Sequence, residues 1–191
     1  MEEMYMAQAL IFLATGFEEV EMLTVVDLLR RGGITIDMVS ITDSLTVTGS
    51  HQITITADKL YEEADFDNAE ILILPGGIPG TPNLASFTPL TDKIKEFHEQ
   101  GKWLAAVCAA PTVLHSAGIL NDVRATCYPD HVANIPQADY VKQPVVIDNN
   151  IITSRGLGTS IEFAAAIIEQ LKSKQEADII LQKIIYNDTY Q

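Results

Sequence analysis

Three short runs in this chain are apolar at nearly every position rather than at every second one. They read AQALIFLA from Ala7 to Ala14, AEILIL from Ala69 to Leu74 and KWLAAVCA from Lys102 to Ala109. A strand with one wetted face alternates apolar and polar side chains. A continuous run of this length fits a strand buried on both faces, as in a parallel sheet covered by helices. The segments between them have helical periodicity. In EEVEMLTVVDLLRRGG, Glu18 to Gly33, acids fill the first turn, arginines the last, and glycines follow, in accord with the helix dipole and C-cap preferences. Ile34–Ile41 is the next expected strand, and 45–58 a hairpin turned at Gly49-Ser50. Further on, 88–101 is expected as a helix capped by Thr88, 110–118 as a short helix, and 123–128 as a strand. A hairpin turned at Asn149-Asn150 spans 145–156, and helices are expected over 158–171 and 173–188. This alternation predicts an α/β protein with a mostly parallel sheet and helices on both faces.

Composition removes some partners. The net charge is −14 at neutral pH, the same sign as nucleic acid and anionic membrane surfaces, so neither is expected as a partner. No apolar run approaches the roughly 20 residues of a membrane span. The start, MEEMYMAQ, lacks the basic n-region of a secretory signal. Cys108 and Cys127, the two cysteines, form no C-x-x-C and no metal spacing, which fits a reducing, cytoplasmic setting.

In sheets of this kind ligands bind outside the carboxyl ends of the strands. That rule selects three loops, 15–21, 75–82 and 108–111. The last carries Cys108 at a strand-to-helix turn, flanked by Ala106, Ala109 and Ala110. A helix N-terminus there favours the thiolate. The Gly76 and Gly77 amides are candidate oxyanion donors. Glu18, Glu19 and Glu21 offer a carboxyl that, desolvated near a thiolate, has a raised pKa and serves as a proton carrier. Each feature has a plainer reading when taken alone: a packed cysteine, a helix start, a turn. Their convergence on one sheet edge favours a site. His98 and His115 read as surface or boundary residues, His131 as a loop residue, and Cys127 as packed. No phosphate-binding motif follows a strand, and metal-ligand types do not cluster along the sequence, so no metal is expected.

Four segments carry a family resemblance: ALIFLATGFEEVEMLTVVDLLRRGGI, ILILPGGIPGTPNL, LAAVCAAPTVL and IITSRGLGTSIEFAAAIIEQL. Together they resemble the ThiJ/PfpI superfamily, in the branch of the parkinsonism-associated deglycase (written DJ-one) and bacterial ThiJ-like proteins. The resemblance implies a flavodoxin-like three-layer sandwich forming a single domain over 1–191, with a core of about 7–171 and a C-terminal helix of about 173–188. It implies a reactive Cys108 hydrogen-bonded by Glu21, with Gly76 and Gly77 beside the thiol, and no cofactor. Gly76, Gly77 and Ala109 are assigned to oxyanion or substrate binding, with Tyr128, His51 and Arg155 as further substrate-binding candidates. The chain departs from the pattern in places. Tyr128 stands where many relatives have histidine, His51 where arginine is common, and TSRGPGT reads TSRGLGT. Ala109 replaces the histidine of the protease-like branch, which argues against peptidase activity.

The resemblance therefore implies a stress protein acting on small α-oxoaldehydes or glycated substrates, of glyoxalase or deglycase type. A redox sensor working through Cys108 oxidation is the alternative, and an amidotransferase-like hydrolase ranks third because its triad partners are missing. A homodimer is expected: the resemblance implies one formed through the first helix and the loops near the site, and Val20, Met22, Leu23, Val25, Val26, Leu28 and Leu29 make that helix apolar on more than one side.

Overall fold

The computed structural model describes residues 8–186. Strand β1 (Gln8–Leu13) leads through α1 (Glu19–Arg31) to β2 (Thr35–Ser40). A small hairpin, β3 (Thr46–Thr48) and β4 (Thr54–Thr56), precedes the edge strand β5 (Lys59–Leu60). Then come β6 (Ala69–Leu74), α2 (Gly80–Ser86), α3 (Thr88–Glu99), β7 (Trp103–Val107) and α4 (Pro111–Ser116). The remainder holds β8 (Arg124–Ala125), β9 (Asp139–Tyr140), β10 (Val145–Asp148), β11 (Ile151–Ser154), α5 (Ser160–Leu171) and α6 (Lys174–Lys183).

The main sheet has seven strands in the order β10-β11-β7-β6-β1-β2-β5. All its pairings are parallel except β10 with β11. The continuous apolar runs are its inner strands, and successive residues serve opposite faces. Ala9, Ile11 and Leu13 face one core with Met22, Val25 and Leu29 of α1, Phe163 and Ile167 of α5 and Ile180 of α6. Leu10, Phe12 and Ala14 face the other with Leu84 of α2, Ile94 and Phe97 of α3 and Val113 of α4. Fully burying each such large side chain contributes about 1.5–3 kcal/mol, so the sheet is held from both sides. This is the flavodoxin-like sandwich. The chain runs from β1 outward to β2 and β5, then crosses back to β6 and continues the other way. The crevice between β1 and β6 is therefore the topological switch point, where such sheets place ligands.

Several local expectations change. Residues 80–86 form α2, of which 80–82 are expected in the loop 75–82. Thr88 is the first residue of α3 rather than its cap, and its carbonyl accepts from Thr91 Oγ1. The strand expected over 123–128 shrinks to Arg124–Ala125, paired only with β9, because the Thr126 amide turns to Thr153 Oγ1. Helix α6 ends at Lys183, with Ile185 at a φ of +62°; residues 187 and 188 lie outside the described residues. Of the seven apolar residues of α1, five are buried within this chain. Val20 and Leu23 remain exposed.

Candidate active site

Cys108 directly follows β7 and sits at a φ of +62°. A residue with a side chain pays about 1–2 kcal/mol for that left-handed conformation, so the surroundings must hold it. They do so through the backbone: the Cys108 amide donates to the Ser154 carbonyl at 3.0 Å, and the Cys108 carbonyl accepts from the Tyr128 amide at 2.8 Å. The result is a sharp elbow that lifts the thiol out of the sheet end.

Glu21 comes from the first turn of α1 and is 1% exposed. Its Oε2 accepts from the Gly76 amide at 2.9 Å. Its Oε1 is buried without a hydrogen-bond partner. Glu18 caps the helix by accepting from the Glu21 amide at 2.7 Å, while the Glu18 amide donates to the Gly76 carbonyl. The loop after β6 is thus stitched to the start of α1 on both sides of the carboxyl. Gly76 lies in the narrowest place. A methyl group added to it would lie 2.6 Å from Cys108 Cβ, 2.7 Å from Glu21 Oε2 and 3.2 Å from Sγ, so no side chain fits there.

The electrostatics follow from this crowding. Burial pushes the Glu21 carboxyl up to about 7; the Gly76 amide and the hydrogen bond with the Cys108 thiol oppose that rise and the Glu18 charge adds to it. Burial and the Glu21 charge push the Cys108 thiol up to about 12, against the amides of Ala109 and Gly77, which pull it down. The expected lowering of the thiol by the helix N-terminus is not what the site produces. Helix α4 is six residues long, and desolvation beside a second acid outweighs it. The two groups titrate as one unit, in which Glu21 releases its proton first. Glu21 is therefore a base poised near neutrality next to a protonated thiol.

The Gly76 amide is engaged by Glu21, so the expectation that it serves as an oxyanion donor is corrected. The amides of Gly77 and Ala109 are the ones that point at the sulfur. Tyr128 stands close by: a methyl on Gly156 would lie 3.4 Å from Tyr128 Cδ2 and 4.0 Å from both Cys108 Sγ and Glu21 Oε1. Gly156 is a wall of the site that residue-by-residue reading did not single out; its signal lay inside the TSRGLGT segment. His51 sits elsewhere, with Nδ1 3.1 Å from Glu19 Oε2 and 3.9 Å from Glu18 Oε1. Glu18, Glu19 and His51 bring ligand-type atoms within 4.8 Å of one another, a cluster invisible along the sequence. Burial works to raise the Glu19 carboxyl, but hydrogen bonds from backbone amides and the His51 ring outweigh it and hold the group below its ordinary 4.5. Arg155 lies near Cys127, with its Nε buried and unpartnered. Cys127 is fully buried and Tyr128 is 44% exposed. His131 stacks obliquely on Tyr128 at 6.3 Å between ring centres. Among the described residues no helix is long and apolar enough to cross a membrane.

Comparison with known proteins gives the family. The chain is 34% identical over 170 residues to Protein DJ-1 homolog B of Arabidopsis thaliana, covering 88% of this chain and 39% of that protein. It spans less than half the length of the two plant relatives. It is 28% identical over 189 residues to the glutathione-independent glyoxalase DJ-1 of Schizosaccharomyces pombe, covering 94% of this chain and 98% of that one. The structure of oxidized Toxoplasma gondii DJ-1 superposes with a TM-score of 0.91 at 32% identity, over 95% of this chain and 99% of that one. Residues 7–170 match the DJ-1/PfpI family, and with the elbow thiol, the buried glutamate and the flavodoxin-like sheet already described, the chain belongs to that family.

Proposed function

We propose that the protein converts small α-oxoaldehydes to 2-hydroxy acids in a cofactor-independent glyoxalase reaction at Cys108. As Sγ adds to the aldehyde carbon C1, the Glu21 carboxylate takes the thiol proton and the carbonyl electron pair moves to O1. Glu21 returns that proton to O1, giving a hemithioacetal. The Gly77 and Ala109 amides steady the charge on sulfur and O1 in this step. Glu21 then removes the C1 proton. The electron pair forms a C1–C2 double bond and the C2 carbonyl pair moves to O2, giving an enediolate. Delivery of the same proton to C2, with the O1 proton passing to O2, yields a thioester of the 2-hydroxy acid. Water cleaves the thioester, releasing the acid and restoring the thiol. The sum is one aldehyde and one water to one hydroxy acid, with no external oxidant.

The observation that carries this reading is the buried Glu21 carboxyl beside the Cys108 thiol, with one oxygen fixed by the Gly76 amide; burial raises it to about 7. The glyoxalase relative supports it. The test is turnover of methylglyoxal and glyoxal by wild type, Cys108→Ser and Glu21→Gln. Loss of activity in Cys108→Ser and a ~100- to 10,000-fold loss in Glu21→Gln are expected. Undiminished turnover in either variant would sink the mechanism.

A second reading rests on exposure: Cys108 is partly open to solvent and Cys127 is fully buried. In that case Cys108 senses oxidants by forming a sulfinate beside Glu21. It replaces the first reading if wild type turns over no α-oxoaldehyde while mild peroxide oxidises Cys108 stoichiometrically, and if Glu21→Gln changes the sulfinate yield.

A further inference from the structure

We propose that Glu18, Glu19 and His51 form a site for one divalent transition ion of the zinc class, built without the Cys108 thiol. Their ligand atoms lie within 4.8 Å of one another. His51 Nδ1 is 3.1 Å from Glu19 Oε2 and 3.9 Å from Glu18 Oε1. A tetrahedral zinc ion with bonds of about 2.0–2.1 Å holds its ligand atoms roughly 3.3–3.4 Å apart. The Glu19–His51 pair already has nearly that spacing, and Glu18 needs to close on the ring by only about half an ångström.

Each carboxylate has one oxygen tied to the backbone and the other turned to the cluster. Glu18 Oε2 accepts from the Glu21 amide at 2.7 Å, and Glu19 Oε1 accepts from the His51 amide at 2.6 Å. Such outer hydrogen bonds fix the orientation of carboxylates that ligate metals. Glu18 Oε1 accepts no hydrogen bond among the described residues; His51 Nδ1 faces it at 3.9 Å, beyond hydrogen-bond reach. Glu18 is nonetheless only 8% exposed. A buried carboxylate oxygen left in that state is costly, and a cation satisfies it. No lysine or arginine among the described residues pairs with Glu18 or Glu19, whose shared ion-pair partner is His51. Ser50 Oγ, 3.1 Å from His51 Nδ1 and 3.3 Å from Glu19 Oε2, is placed to hydrogen-bond a water in the fourth position.

The donor set selects the class of ion. An imidazole with two carboxylates suits zinc and its neighbours, whereas calcium and magnesium take oxygen ligands. The imidazole arrives from the turn between β3 and β4, 32 residues beyond Glu19. That turn is pressed onto the carboxyl, since a methyl added to Gly49 would run into Glu19. A bound ion therefore pins the hairpin to the start of α1. All three ligands come from one chain, so the site is complete in a single copy. It stands or falls independently of the glyoxalase reading.

The thiol is the competing ligand, so zinc binding is measured by calorimetry on Cys108→Ser as well as on wild type, with magnesium in excess. Both proteins are expected to take up zinc saturably, one ion per chain at this site. In the Cys108→Ser background, His51→Ala and Glu18→Gln should each weaken binding by about tenfold or more, at least what loss of an outer hydrogen bond costs a metal site. A second measurement needs no substitution. Long-range 1H–15N spectra of wild type report all four histidines, and zinc should shift His51 Nδ1 while leaving His98, His115 and His131 in place. Zinc uptake by wild type that vanishes in Cys108→Ser puts the ion on the thiol and overturns the proposal. So does the absence of saturable binding, binding that His51→Ala and Glu18→Gln leave unchanged, or a shift at another histidine in place of His51. None of these readouts is turnover, so their failure leaves the glyoxalase reading untouched, and an inactive wild type leaves the ion site untouched.

Discussion

Replacing Glu21 with glutamine should change how stability depends on pH, and the size of the change follows from the site. In the unfolded chain the carboxyl titrates at its ordinary 4.5, and in the folded protein at about 7. A raised acid favours folding in its protonated form: its contribution is complete below 4.5 and is lost as pH rises through about 7. Each tenfold change in proton affinity corresponds to 1.36 kcal/mol, so the full effect is about 3 kcal/mol. About 2.5 kcal/mol of it falls between roughly pH 5 and pH 8.5. Glutamine has the shape of the protonated acid and does not titrate. Urea unfolding of both proteins across that range, compared as a difference, cancels the other titrating groups. Glu21→Gln should gain about 2.5 kcal/mol on wild type as pH rises, with most of the change complete by pH ~7.5. A gap that stays constant within about 0.5 kcal/mol would show that Glu21 is not held neutral by its burial, and the proton-carrier role would fall with it.

Other outcomes follow from the same geometry. Glu19→Gln weakens the acceptor of the His51 amide (2.6 Å) and of the Ser50 and His51 side chains. It should cost about 1–3 kcal/mol near neutrality. Because the Glu19 carboxyl is lowered, that cost should shrink as pH falls below about 4.5, the opposite sense to Glu21. Gly76→Ala must displace Cys108 or Glu21; a loss of about 1–3 kcal/mol in thermal or urea unfolding is expected, together with most turnover. Peptide mapping after limited iodoacetamide treatment should find Cys108 modified well before the buried Cys127, and the reverse order would make Cys108 a packing residue. Sedimentation should show a dimer that Val20→Glu or Leu23→Glu, at the two exposed apolar positions of α1, converts to monomer; a wild-type monomer at micromolar concentration refutes this.

The layers were legible because burial on both faces leaves an unmistakable run such as ALIFLA, and because α1 announces both its ends by charge. The elbow was legible only because the cysteine, the glycine pair and the acidic loop fall at one sheet edge and match one family's segments; a cysteine between alanines at a strand end, taken alone, reads as packed. What the sequence hid depends on distance in space. The Gly76 amide looked free, yet it is engaged by a carboxylate 55 residues away. The thiol was expected to be acidified by its helix, and a helix of six residues could not outweigh desolvation and a neighbouring acid. The apolar excess of α1 suggested two covered sides, but α5 packs against it and hides most of that surface within the chain. The shortened strand after Val123 depended on the Thr153 hydroxyl taking an amide that a longer ladder would need.

The hydrogen bonds that position the thiol have a consequence for the life of the chain before it is folded. Glu21 reaches Gly76, Cys108 is held by Ser154, and Tyr128 reaches back to Cys108. Every tie spans at least twenty residues, so none can form from local structure alone. During synthesis the cysteine emerges as an ordinary thiol. Its elbow gains the amide tie to Ser154 only when β11, one of the last strands, docks beside β7. A chain interrupted before that strand carries the same cysteine and glutamate without the Ser154 tie that holds the elbow. The strained backbone at Cys108 is thus braced last, and an opening of the β7–β11 seam releases that brace.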